Sequence, residues 1–173
     1  EYLEGVEYVI DMVSRDGDHK CVAVWEYDRR EVNGAGFVCF GQNLHTVDEP
    51  RVAELIAYQK RVITALGIRY GPTHGEVKWH QGEPVLVEVG ARCHGAEGFW
   101  IPVADAVYGF NQVDSTIDAY ANPERFAALP YAPIKRMAWG GLKFLISHHE
   151  GLLRDISSSG LDSIKGMASY YGH

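Results

Sequence analysis

The 173-residue chain is 46% hydrophobic and 23% charged, a composition inside the globular range that excludes disordered, collagen-like and coiled-coil classes. Its 16 Lys and Arg against 23 Asp and Glu leave a net charge of −7, which argues against a broad footprint for nucleic acid or anionic lipid and confines any phosphate site to a local cluster. Cys21, Cys39 and Cys93 are far apart and odd in number. They fit neither a disulfide framework nor CxxC metal spacing and imply free thiols in a reducing cytoplasm. No apolar run reaches the length of a membrane span. The opening Glu1-Tyr2-Leu3-Glu4-Gly5 has neither a signal-peptide pattern nor an initiator Met, so the expectation is a piece of a longer protein.

Apolar residues alternate over 6–13, with Val6, Tyr8, Ile10 and Met12 set against Glu7 and Asp11, and again over 20–27. Asp16-Gly17 reads as the turn between them, and a third apolar stretch, 36–40, follows Asn33-Gly34, so an antiparallel meander is predicted. From Val52 the period becomes helical through Leu55, Ile56, Val62, Ile63 and Leu66, with Asp48 as the expected cap before Pro50 and Gly67 as the stop. Two strands follow, near 73–80 and 84–92, then helices near 99–109 and 112–121, the second closed by Asn122-Pro123. The stretch 127–133 reads as a linker. Beyond it, 136–147 and 152–157 read as strands of a smaller terminal unit that turns at His148-His149-Glu150-Gly151.

The hairpin over 73–92 holds most of the chemistry. In its first strand His74, Glu76, Lys78 and His80 share one face and Val77 and Trp79 the other; in its second Glu88, Gly90 and Arg92 share a face and the valines take the opposite one. A three-residue loop Gln81-Gly82-Glu83 pairs 80 with 84 and therefore 76 with 88, whereas a two-residue loop puts the glutamates on opposite faces. Opposed residues on antiparallel strands have Cβ atoms about 4.5–5.5 Å apart, and like charges there repel. A hard divalent cation offsets that repulsion, and Mg²⁺ uses one or two carboxylates together with substrate phosphates. Arg92 suits a bidentate grip on a phosphate, and Gly90 leaves the backbone open to a ligand. The competing reading of the same pattern is a solvated sheet face carrying surface pairs.

The string His74-Gly75-Glu76-Val77, followed by Val85-Leu86-Val87-Glu88-Val89-Gly90-Ala91-Arg92-Cys93-His94-Gly95, resembles the metal-binding hairpin of ATP-grasp ligases, in particular the L-amino-acid ligase and carboxylate–amine ligase branch. Residues 1–7 resemble the hinge of that superfamily, 65–71 its helix-to-strand passage before the first metal ligand, and the tail from Pro133, with Gly151 and Ile156, its small C-terminal domain. The resemblance implies an α+β fold: an ATP-grasp C-terminal lobe over 1–132, with an antiparallel sheet and helices packed on one face, plus a small β-rich C-terminal appendage over 133–173. It implies ATP and Mg²⁺ as cofactors. The backbone at Tyr2 and Leu3 would meet adenine, Glu7 the ribose hydroxyls, and His74 would stand near the phosphates. Glu76 and Glu88 would be the Mg²⁺ ligands, and Arg92 would stabilise the phosphoryl group in transit to a carboxylate, giving an acyl phosphate that an amine attacks. Many relatives carry an Asn two positions after the second Glu; Gly90 stands there instead, which leaves the number of metal contacts open. The loop 93–100 is the expected substrate wall, with His94, Glu97 and Trp100 as contacts; the alternative for Phe99 and Trp100 is the start of a buried helix.

The partners so implied are a small-molecule carboxylate and an amine, amino acids above all, with no nucleic acid and no membrane; a homodimer stays open. The resemblance would place the phosphate-holding lysines and the other lobe before Glu1, and no GxxxxGK[ST] or GxGxxG replaces them. The chain alone is therefore expected to bind ATP weakly and not to turn over. Two further readings stay open: a transition-metal enzyme or binding module using His74 and Glu76 with His94 or His80, and a non-catalytic interaction domain on the same fold. His45, Lys78, His148 and His149 read as solvated loop or strand positions.

Overall fold

A computed structural model describes residues 1–152 and 154. The strand expected over 152–157, and with it Ile156, lies almost wholly outside the described residues. The meander is present as β1 (Val6–Arg15), β2 (Asp18–Val32) and β3 (Ala35–Leu44). After it come α1 (Pro50–Ala65), β4 (Gly71–His80), β5 (Glu83–Gly90), a 3-10 turn at Ala96–Gly98, α2 (Trp100–Tyr108), α3 (Gln112–Ala121), α4 (Pro123–Ala128) and β6 (Gly141–Lys143). The six strands form one sheet in the order β5-β4-β1-β2-β3-β6, antiparallel at every step. The architecture is the expected α+β.

β1 lies between β2 and β4, so its backbone is paired on both edges and its side chains alternate between two layers. Tyr8, Ile10 and Met12 join Val24 and Val77 against Val52, Leu55, Ile56 and Ile63 of α1. Val9, Ala23, Trp25 and Leu44 meet Trp100, Ala104, Val107 and Tyr108 of α2 on the opposite face. Val13 and Val22 meet Ala119 of α3 and Phe126 of α4. Helices therefore cover both faces of the sheet, where one had been expected, because β1 is apolar on both sides. Burying one such side chain contributes roughly 1.5–3 kcal/mol, so neither layer of a strand like this one can be left open.

Asp48 does not cap α1. Glu49 holds the cap position without a side-chain bond, Pro50 starts the helix, and Asp48 instead accepts a hydrogen bond from the Thr46 hydroxyl. Proline at the first helical position needs no N–H partner and has its φ preset, which removes the need for a side-chain cap. Gly67, at φ +71°, ends the helix as expected. The linker reading of 127–133 is shortened by α4, whose N-terminus is capped by Asn122 accepting from the Arg125 amide. Lys20, buried in β2, donates to the carbonyls of Phe126, Ala127 and Leu129 at 2.7, 2.8 and 2.6 Å and so holds the end of α4 on the sheet.

Of the strand expected over 136–147, only Gly141–Lys143 is extended and paired, and its partner is β3. The residues before it are bonded to the same lobe: the Val47 amide donates to Pro133 O at 3.0 Å and the Met137 amide to Val107 O at 2.8 Å.

Candidate functional site

The β4–β5 hairpin brings the two glutamates together by a route that differs from the expected one. Its turn has two residues, Gln81 and Gly82, both at positive φ, so His80 pairs with Glu83 and the register runs through Trp79↔Pro84 to Val77↔Leu86. That register alone would put Glu76 and Glu88 on opposite faces. A β-bulge at Val87 adds one residue to β5 and restores Glu76↔Glu88, Gly75↔Val89 and His74↔Gly90. The Leu86 amide next to the bulge donates to the Tyr58 hydroxyl at 3.0 Å. The expected alternation of the valines breaks here: Leu86 and Val89 pack on the core face, and Val87 is exposed.

Glu76 is half-buried and Glu88 exposed. Glu76 Oε1 takes a hydrogen bond from the Tyr27 hydroxyl at 3.4 Å and lies 3.4 Å from His74 Nε2. His74 holds its carboxyl below the usual carboxylate range, so Glu76 stays ionised.

Behind this pair lies a carboxylate that the sequence had not marked as functional. Asp11, fully buried at the centre of β1, pairs with His74 across the β1–β4 ladder. Its Oδ1 is 2.9 Å from His74 Nδ1, and its Oδ2 is 2.8 Å from His94 Nδ1 and accepts from Trp25 Nε1 at 3.0 Å. The two imidazoles meet edge to face with centroids 4.7 Å apart. Burial alone would raise the Asp11 carboxyl, but the charges and hydrogen bonds of His94 and His74 outweigh it and bring it down to about 2. For His74, burial opposes the charged ring, while the bonds to Asp11 and Glu76 raise it to about 9. An ionised Asp only accepts, so both Nδ1 atoms carry protons. Asp11, His74 and His94 also form a candidate metal-ligand cluster among the described residues. Both Nδ1 atoms are already bonded to Asp11 there, which favours a hydrogen-bonded core over an ion.

Further along the same face, a groove of about 340 Å³ is lined by Glu7, Tyr27, Arg29, Phe37 and Lys78 among others. Glu7 Oε1 accepts from Arg29 Nε at 3.1 Å and Nη2 at 2.6 Å, and the guanidinium lies over the Tyr27 ring. Lys78 is not a solvated strand position: it is buried, donates to Leu3 O at 2.8 Å, and stands over the rings of Phe37 and Tyr2. This places Tyr2 and Leu3 at the mouth of the groove that holds Glu7. His45 also departs from expectation, because it sits between Glu26 and Glu49, whose carboxylates raise its titration.

Arg92 is exposed just past β5, donating to Cys93 O at 3.0 Å. His94 is buried, its ring centroid 5.5 Å from those of both Trp25 and Trp100, and its amide donates to Gln112 Oε1 at 2.7 Å. Trp100 is buried and opens α2, the alternative weighed for it. Ala96 and Glu97 lie in the left-handed region at φ +54° and +50°, in the exposed turn after Arg92. The fold thus gathers Glu76, Glu88, His74 and Glu7 on one sheet face; His94 is built into the wall behind them. Asp11 and Arg29 are the members that sequence reasoning missed. Asp11 shares the strand face of Glu7, but only the non-local pairing of β1 with β4 brings it to His74.

No protein-family model matches the chain. It is 31% identical over 126 residues to dapdiamide A synthase from Enterobacter agglomerans, covering 73% of this chain and 29% of that protein. Among solved structures it resembles an L-amino acid ligase from Bacillus licheniformis, with 23% identity, a TM-score of 0.57 and coverage of 68% of this chain and 30% of the other. It also resembles an ATP-grasp superfamily protein from Archaeoglobus fulgidus, with 20% identity, a TM-score of 0.51 and coverage of 67% and 35%. The chain thus spans about a third or less of each relative. The fold is that of an ATP-grasp lobe. The chain shares that fold with these two solved structures and sequence similarity with dapdiamide A synthase. Among the described residues, no helix is long and apolar enough to cross a membrane.

Proposed function

We infer that this chain supplies the metal- and phosphate-binding lobe of an ATP- and Mg²⁺-dependent ligase that joins a small carboxylate, amino acids in the first instance, to an amine. The observation that carries this reading is Glu76 opposite Glu88 on β4–β5, with Arg92 just beyond. The donor set suits a hard divalent cation: two carboxylates face each other, one exposed and one half-buried. His74 and Tyr27 engage only Oε1 of Glu76, which leaves Oε2 for the ion. A bound Mg²⁺ would neutralise charge on the ATP phosphates.

The chain's own residues do the rest. Glu7 receives the ribose hydroxyls, the backbone at Tyr2 and Leu3 borders the adenine, and His74, held charged, faces the phosphates. The substrate carboxylate attacks the γ-phosphorus and ADP leaves, giving an acyl phosphate. Arg92 balances the charge spread over the oxygens in transit. The amine then attacks the acyl carbon and phosphate leaves; Glu97, in the turn after Arg92, borders the substrates, and His94 shapes the wall from behind. A second lobe supplies the remaining phosphate contacts. The reaction runs in a reducing compartment, where Cys21, Cys39 and Cys93 stay thiols.

The test is ADP release by the full-length protein with Mg²⁺ across pairs of amino acids. A pair-dependent release abolished by Glu88→Gln supports the reading. A folded protein that no carboxylate and amine pair stimulates refutes it.

A further inference from the structure

Asp11 does not line the groove that holds Glu7, yet it is the most deeply buried carboxylate among the described residues. It lies wholly buried on the central strand and accepts from three side chains drawn from three separate parts of the chain: Trp25 on β2, His74 on β4 and His94 in the loop after Arg92. A carboxylate placed only for stability has no need of such partners, since an apolar side chain of similar volume is often as stabilising as a buried ion pair. What the arrangement adds is direction. Fixing Nδ1–H of His74 on Asp11 turns Nε2 outward, and Nε2 then lies 3.4 Å from Glu76 Oε1. The second histidine extends the same hold to the loop that follows Arg92.

We propose that Asp11 is a positioning residue for the divalent-cation site, acting through His74 to fix the rotamer of Glu76 and through His94 to seat the loop beyond Arg92. This rests on the reading of Glu76 and Glu88 as the Mg²⁺ ligands and adds to it a relay of Asp11, His74 and Glu76. Carboxylates that ligate a metal are themselves hydrogen-bonded, and losing such an outer partner weakens metal binding about 10- to 100-fold. Here the outer partner of Glu76 is His74, and Asp11 in turn sets its ring.

The two ring nitrogens allow the relay to be cut at either bond. In His74→Asn the amide nitrogen falls near the position of Nδ1, keeping the donor to Asp11 and losing the donor to Glu76. In His74→Gln it falls near Nε2, keeping the donor to Glu76. The experiment measures formation of the ternary Mn²⁺·ADP complex of the full-length protein by water-proton relaxation enhancement. The relay requires that Asp11→Asn, His74→Asn and His74→Gln, each of which cuts one of its bonds, all weaken the complex about 10- to 100-fold. Ser14→Ala, which removes the buried bond from Ser14 of β1 to His19 of β2, lowers stability and leaves the affinity unchanged. If Asp11→Asn does not fold, His74→Gln decides, since it keeps Asp11 and the donor to Glu76 and loses only the donor to Asp11. Wild-type affinity in His74→Gln, where the bond to Asp11 alone is cut, overturns the relay even where the wild-type complex forms and depends on Glu88. If the wild-type complex is insensitive to Glu88→Gln, the ligand assignment itself fails, and the relay falls with it.

Discussion

Gly75 sits between His74 and Glu76 on β4, and its α-carbon faces the side chain of Gln59 on α1. A Cβ at position 75 would collide with Nε2 and Cδ of Gln59. Gln59 has no room to withdraw: it is fully buried, and neither atom of its amide finds a hydrogen-bond partner. Gly75→Ala should therefore cost the roughly 1–3 kcal/mol of an overpacked core, and the displaced strand carries Glu76 with it. Gln59→Ala is expected to be close to neutral. It gives up packed atoms but also relieves two unsatisfied polar atoms, each of which costs about 1–3 kcal/mol to leave buried. In the double variant the new methyl enters the space left by the amide, so the penalty at position 75 should largely disappear. A double-mutant cycle of urea midpoints measures this as a favourable coupling of about 1–3 kcal/mol. An additive cycle, with Gly75→Ala equally damaging in both backgrounds, would refute the packing argument.

The charge on His74 should make stability depend on pH on the alkaline side. Its ring titrates at about 9 in the folded chain against an ordinary 6.5, so the stabilisation is fully present below pH 6.5 and is lost as pH rises through 9. The amount is about 3 kcal/mol, read from urea midpoints at the two ends of that range together with an imidazole ¹⁵N titration. A ring titrating at its ordinary value would contradict it. At the hairpin, deleting Val87 should leave a regular two-residue hairpin that still pairs Glu76 with Glu88, so cross-strand NOEs between those residues and Mn²⁺·ADP binding should both survive. Their loss would mean that the bulge does more than correct register.

Much of the lobe was legible because its signals are local. The turn residues Asp16-Gly17 and Asn33-Gly34 mark the meander, and the stripe from Val52 to Leu66 marks α1. Glu76 opposite Glu88 was inferred from a three-residue turn that does not exist. The pairing is present because a two-residue turn and a bulge together shift the strand by the same amount, and a bulge leaves no clear mark in an alternating run of valines. Non-local pairing accounts for the other gaps. Asp11 reads as the polar half of an ordinary alternating strand until β4 is laid beside it, and Lys78 reads as solvated until residues 1–5 fold back over it. α4 was hidden because Pro123 and its alanines suit a linker as well as a short capped helix.

The cluster around Asp11 also bears on how such a protein can diverge. Removing one partner from a buried ion pair leaves an uncompensated charge at a cost of about 3–5 kcal/mol, so neither the acid nor either histidine can drift alone. A lineage leaving this arrangement would have to replace positions 11, 74 and 94 nearly together, passing through intermediates that fold poorly. These three positions, with 74 and 94 lying 63 and 83 residues beyond 11 in sequence, should therefore vary in concert across distant descendants.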